Sequence, residues 1–363
     1  MDTGRPIFED LALPNRCLPP IPFRLGNSSA MAVETTRLTP ETVEPRRQPW
    51  LFSPWVDLLF IANVAWILAF LPGFVDSDGQ PFSHFWTVYF LATPHRWLTL
   101  FLVAADPQCR AGREVWFAGI AVAVGLLVAM LYVLAGNLEL LAFGYAVLVA
   151  WHFAAQHSGI LRIYSRRRGT AGWRSLEIWG PRFFVTYAGL RILPGFDRFA
   201  AAAGLPLETL DWAFLAIPCA MVLAELSYGR AANIPKLLYM LSFSSLFAAV
   251  IFAARAHDRA LCLALFTAAT AFHSIEYMAV VFRYVQRRGE CGADAPIRAF
   301  SRNVPLALAW YIVGSGVIYA FGNQLLLGVW FAVNLWASIL HCAFDGMIWK
   351  LRRRTLGEVF ELK

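Results

Sequence analysis

Four apolar stretches of this chain each carry a histidine nine to eleven residues before a charged residue. They are His95 in LATPHRWLTLFLVAADP, His152 in WHFAAQHSGILRIYSRRR, His273 in FHSIEYMAVVFRYVQRR and His341 in LHCAFDGMIWKLRRR. Three have a polar or acidic companion one helical turn on: Gln156 after His152, Glu276 after His273 and Asp345 after His341. Residues three or four apart share a helix face, so each pair presents two donors toward one centre. His157 follows His152 by five residues, about 140° round an α-helix, so the two meet at one atom only through a π-bulge. Without a bulge, one of them supports the shell from outside. A lone histidine inside hydrocarbon is often just a helix-to-helix hydrogen-bond donor. Four with two carboxylates have the composition of a metal shell of mixed nitrogen and oxygen donors. The expected metal ligands are therefore His95, His152, His157, His273, Glu276, His341 and Asp345.

The elements that must position these residues are membrane helices. The chain has 363 residues, 58% hydrophobic and 15% charged, and a mean hydropathy of +0.54. A soluble domain is about a quarter charged. Apolar runs recur from residue 51 to residue 350, which predicts an all-α, polytopic membrane bundle. About ten spans are expected: 51–73, 84–105, 115–135, 138–162, 176–194, 208–228, 236–256, 258–284, 303–322 and 324–350. The fifth is the weakest, because Pro181 and Arg182 interrupt it. Residues 1–50 are Pro-rich and polar, lack the apolar core of a signal peptide, and read as a disordered cytosolic arm. Met31 within them is an alternative start, and residues 351–363 form a basic cytosolic tail.

Charge sets the orientation. With a cytosolic N-terminus, nineteen Lys and Arg fall in the inner loops and C-terminus and only Arg191, Arg198, Arg255 and Arg259 in the outer loops. That asymmetry puts both termini in the cytosol, in what is expected to be a bacterial inner membrane. The net charge of +7 then reports topology and contact with anionic membrane lipids, not nucleic acid. Six scattered Cys without CxxC spacing indicate neither a disulfide framework nor a zinc knuckle. In this orientation the second, fourth, eighth and tenth spans all run inward. Their histidines then sit ~15 Å inside the cytosolic boundary, at one depth. Asp57 and Glu225 lie near that depth as ligands, supports or interfacial residues, whereas His84 and His257 fall near the outer surface, away from the site.

Up to seven donors without a thiolate pair favour two iron ions handling O₂ over a single zinc, with copper as an alternative. This pattern resembles the histidine-rich integral-membrane di-iron oxygenases, a class that includes desaturases, hydroxylases and carotenoid-modifying enzymes. The resemblance covers the four histidine-bearing helices. Their HxxxH and HxxHH boxes are absent, and WHFAAQH is the nearest approach. It implies oxidation of a lipophilic substrate with O₂ and electrons from an external donor, since no flavin, nicotinamide or ferredoxin-like segment is present. Tyr277 beside Glu276 is the expected relay for a proton or electron. Arg96 beside His95 would orient an anionic or carbonyl-bearing substrate, or pair with Asp57. Arg162 and Arg166 to Arg168 stand at the cytosolic mouth, as lipid anchors or as attractors of an acidic group. Two rival classes remain: a haem-binding electron-transfer subunit with two histidines as axial ligands, and a proton-coupled transporter with a His/Asp/Glu relay.

Overall fold

In the computed structural model the elements of the described residues are all helical. The structure describes residues 49–71, 86–136, 138–168, 173–228, 233–292, 294–325 and 327–350, with Gly357, Val359 and Phe360 of the tail. The expected cytosolic arm up to Gln48, Met31, His84 and most of the basic tail lie outside them.

Nine long helices carry the fold: α1 (Thr93–Ala105), α2 (Glu114–Ala135), α3 (Glu139–Arg168), α4 (Arg174–Arg191), α5 (Leu207–Leu226), α6 (Ile234–Arg255), α7 (Arg259–Glu290), α8 (Val304–Leu325) and α9 (Leu327–Ile348). A π-helical turn, Thr87–Ala92, leads into α1, where Pro94 at the helix start removes one backbone donor. Side chains cap three of the entries: Asn233 accepts from the Lys236 amide, Asp258 from the Leu261 amide and Asn303 from the Leu306 amide. Eight helices are long and apolar enough to cross a membrane, namely α1 with its π turn, α2, α3 and α5 to α9. Of α7's apolar window 67% is buried inside the protein, against 11% of α2's. The bundle is therefore centred on α7, with α2 presenting apolar side chains outward.

Two of the ten expected spans are not among these eight. The segment expected over 51–73 is three short pieces, Pro54–Val56, a π turn Asp57–Ile61 and a 3-10 stretch Val64–Phe70. The break has a cause: Asn63 is left-handed at φ 44°, and the Asp57 carboxylate accepts from the Leu51 and Phe52 amides, tying the chain back on itself. The segment expected over 176–194 is α4, which runs unbroken through Pro181. A Cβ on Gly189 would stand 2.7 Å from Ala150 Cβ, so α4 lies directly against α3. Its three arginines and a glutamate keep α4 out of the apolar set.

Candidate metal centre

Each of the four expected histidines projects inward from a different helix, His95 from α1, His152 from α3, His273 from α7 and His341 from α9, and all are buried. Their rings close a circle. Neighbouring centroids are 4.7 Å apart for His95–His341 and His152–His341, 4.9 Å for His152–His273 and 5.1 Å for His95–His273. The donor atoms of His95, His273 and His341 lie within 4.8 Å of one another, as do those of His152, His341 and Asp345. Asp345 Oδ2 stands 3.7 Å from Nε2 of both His152 and His341. That is too long for a hydrogen bond. It suits donors sharing one ion at about 2.0–2.2 Å each, which leaves them ~3–4 Å apart.

The outer hydrogen bonds hold the lone pairs inward. Ser274 donates to the Thr270 carbonyl, so its oxygen is left to accept from His95 Nδ1 at 3.0 Å. Thr99 Oγ1 is 2.7 Å from His341 Nδ1, 2.5 Å from Tyr277 OH and 3.1 Å from Asp345 Oδ1. Thr99 has one hydrogen to give. Donating it to Asp345 and accepting from His341 Nδ1–H satisfies both and leaves His341 Nε2 bare. Tyr277 OH and Trp349 Nε1 also donate to Asp345 Oδ1, at 3.1 and 3.2 Å. One carboxylate oxygen thus takes three donors while the other faces the histidines. His152 Nε2, His341 Nε2 and both nitrogens of His273 are buried without a hydrogen-bond partner. Each such atom costs about 1–3 kcal/mol unless something fills it; a cation inside the circle would take one nitrogen from each ring.

Two of the expected ligands sit elsewhere. Glu276 Oε1 accepts from Tyr239 OH at 2.5 Å and Oε2 from Gln156 Nε2 at 2.7 Å. Gln156 Nε2 also donates to the His273 carbonyl. His157 Nδ1 is 2.6 Å from the Tyr239 hydroxyl, and its ring stacks on Phe243. No π-bulge occurs in α3, so the 140° between His152 and His157 stands, and the second histidine faces α6 instead of the circle. Glu276, Gln156, His157 and Tyr239 form a separate network beside it.

Arg96 donates to Ser338 Oγ at 3.0 Å, not to Asp57, whose Oδ2 accepts from Tyr164. Glu225 pairs with Lys236 at 2.6 Å, and His257 is exposed at a positive φ of 53°. Thr99, Ser274 and Trp349 are partners that reading the sequence missed. Thr99 had a signal, because it follows His95 by four residues, the same spacing that singled out Asp345 after His341.

Two cavities reach the circle. The larger, about 520 Å³, touches His152, Asp345 and Tyr277. The smaller, about 180 Å³, touches His95, Arg96, His152, His273 and His341. His152 is common to both. No family model matches this chain, and no curated protein or solved structure matches it.

Proposed function

We propose that this is a membrane enzyme whose His95, His152, His273, His341 and Asp345 hold one transition-metal ion, iron first and copper second, for oxidation of a lipophile with O₂. The observation that carries it is the set of bare Nε2 atoms on His152, His273 and His341, with the inward oxygen of Asp345 3.7 Å from those of His152 and His341. Four neutral imidazoles and one carboxylate would hold the ion through a mixed set of nitrogen and oxygen donors. A redox-active ion bound there supplies one-electron chemistry toward O₂. The chain's own residues do the rest. Asp345 offsets cationic charge, Thr99 and Trp349 fix its direction, and Tyr277 holds a proton between Thr99 and Asp345. Electrons come from a separate donor.

One ion is favoured over the two first expected. A second would need Glu276 to abandon Tyr239 and Gln156. A haem is disfavoured because the imidazoles pack against one another at 4.7–5.1 Å between centroids, where a porphyrin would separate them. In the membrane we place both termini in the cytosol, supported by the uneven spread of basic residues. Elemental analysis of detergent-purified protein tests the centre. About one iron or copper per chain, lost in folded His273→Ala and His341→Ala variants, is expected; folded wild-type protein without any transition metal overturns it.

A further inference from the structure

The larger cavity contains an arginine that no carboxylate pairs with among the described residues. Arg182 lines it together with Trp151 and Ile178, on the same wall system as His152 and Asp345. Its guanidinium carbon lies 5.7 Å from the Trp151 ring centre and 5.2 Å from that of Trp179. Nε is buried without a hydrogen-bond partner, and among the described residues no carboxylate pairs with this arginine. Its neighbours are provided for differently. Arg162 pairs with Glu177, Lys236 bridges Glu177 and Glu225, and Arg191 pairs with Asp211. Aromatic faces offset part of a cation's lost hydration but leave its planar fork of donors unused. Arg162 and Lys350 line the same cavity and add positive potential. A volume of about 520 Å³ is within the range of small-molecule sites.

We infer that this cavity binds a single-chain amphiphile with a carboxylate or phosphate head on Arg182 and an apolar tail running past Trp151 toward His152 and Asp345. The guanidinium meets either oxyanion through two parallel hydrogen bonds. Trp151 and Ile178 wall the tail. The binding stands without the metal; only the oxidation of the bound chain rests on the metal reading. Arg182 is a positioning residue here, holding the head so that the tail meets the circle of histidines.

The test is equilibrium binding of radiolabelled oleate, oleyl phosphate and oleyl alcohol to the full chain in nanodiscs of zwitterionic lipid at about pH 8, where oleate is charged. Wild type is expected to bind one or both anions about tenfold more tightly than the alcohol, and the stronger of the two names the head. Arg182→Met should lose that preference while binding the alcohol as before, and Arg182→Lys should keep part of it. Should Arg182→Met not fold, Arg182→Gln serves in its place. Gly159 lines the cavity and a Cβ there meets open space, so Gly159→Phe should weaken anions and alcohol alike. Equal affinity for the anions and the alcohol in wild type, or a preference that survives loss of Arg182, overturns the inference. Iron and copper are assayed on the same preparations. Metal without anion preference leaves the centre standing and removes the amphiphile; anion preference without metal does the reverse.

Discussion

Thr99 shows how much one hydroxyl can decide. It touches a histidine, a tyrosine and a carboxylate at once, so it sets both the tautomer of His341 and the direction of Asp345. Thr99→Val keeps the shape and removes the oxygen. Partners of this kind are typically worth about 10–100-fold in metal affinity. Competition with a chelator should show a loss of that size in Thr99→Val, with Thr99→Ser close to wild type. Glu276 makes the opposite case. Its oxygens are committed to Tyr239 and Gln156, so Glu276→Gln should leave the metal-to-chain ratio unchanged. A fall from two equivalents to one in that variant would restore the two-ion arrangement.

Helices hold these residues through contacts of two kinds, small-residue packing and buried ion pairs. Gly189 brings α4 against Ala150 of α3, where a methyl group would stand 2.7 Å from another that is fixed to backbone. Gly189→Ala must therefore push the helices apart, at a cost of about 1–3 kcal/mol, seen as a lower thermal midpoint. Gly180→Ala meets the flexible Met221 side chain, at 2.7 Å from Sδ and 3.2 Å from Cγ, and touches Ile217 at an ordinary 3.4 Å, and should cost less. Asp106, just past the end of α1, accepts from Arg288 of α7 at 3.1 and 3.2 Å and from Tyr284 at 2.7 Å. Burial pushes its carboxyl upward, but the bonds to Arg288 and Tyr284 outweigh that and hold it below the usual carboxylate range. A depressed folded-state pKa stabilises the protein above the unfolded value, near about 4, and that contribution is lost as the pH falls through the folded value. Asp106→Asn should thus cost of the order of 3 kcal/mol at neutral pH. The gap from wild type in thermal midpoint should narrow as the pH is taken below about 4.

For the whole molecule, the central question is how eight apolar helices, one charged helix and one broken segment sit in the bilayer. α4 packs along α3, and its Arg191 and Glu177 are paired within the protein, so those two charges need not meet lipid. Reporter fusions after α3 and after α7 should both read cytosolic if the positive-inside assignment holds; opposite readings would reverse part of the bundle.

Hydropathy and charge are properties of the linear chain. They alone determined that this protein is a helical membrane bundle, that its basic residues segregate by loop, and that four histidines recur at matching offsets from charged helix ends. Helical spacing also brought Asp345 to the face of His341. The direction in which each side chain points across the bundle depends on the roll and neighbours of its helix. Only the tertiary structure could therefore turn His152, and not His157, toward the circle and send Glu276 to Tyr239. The same holds for hydrogen-bond closure: Thr99, Ser274 and Trp349 come from different parts of the chain. Which nitrogen is left bare is settled by partners that only folding brings within reach.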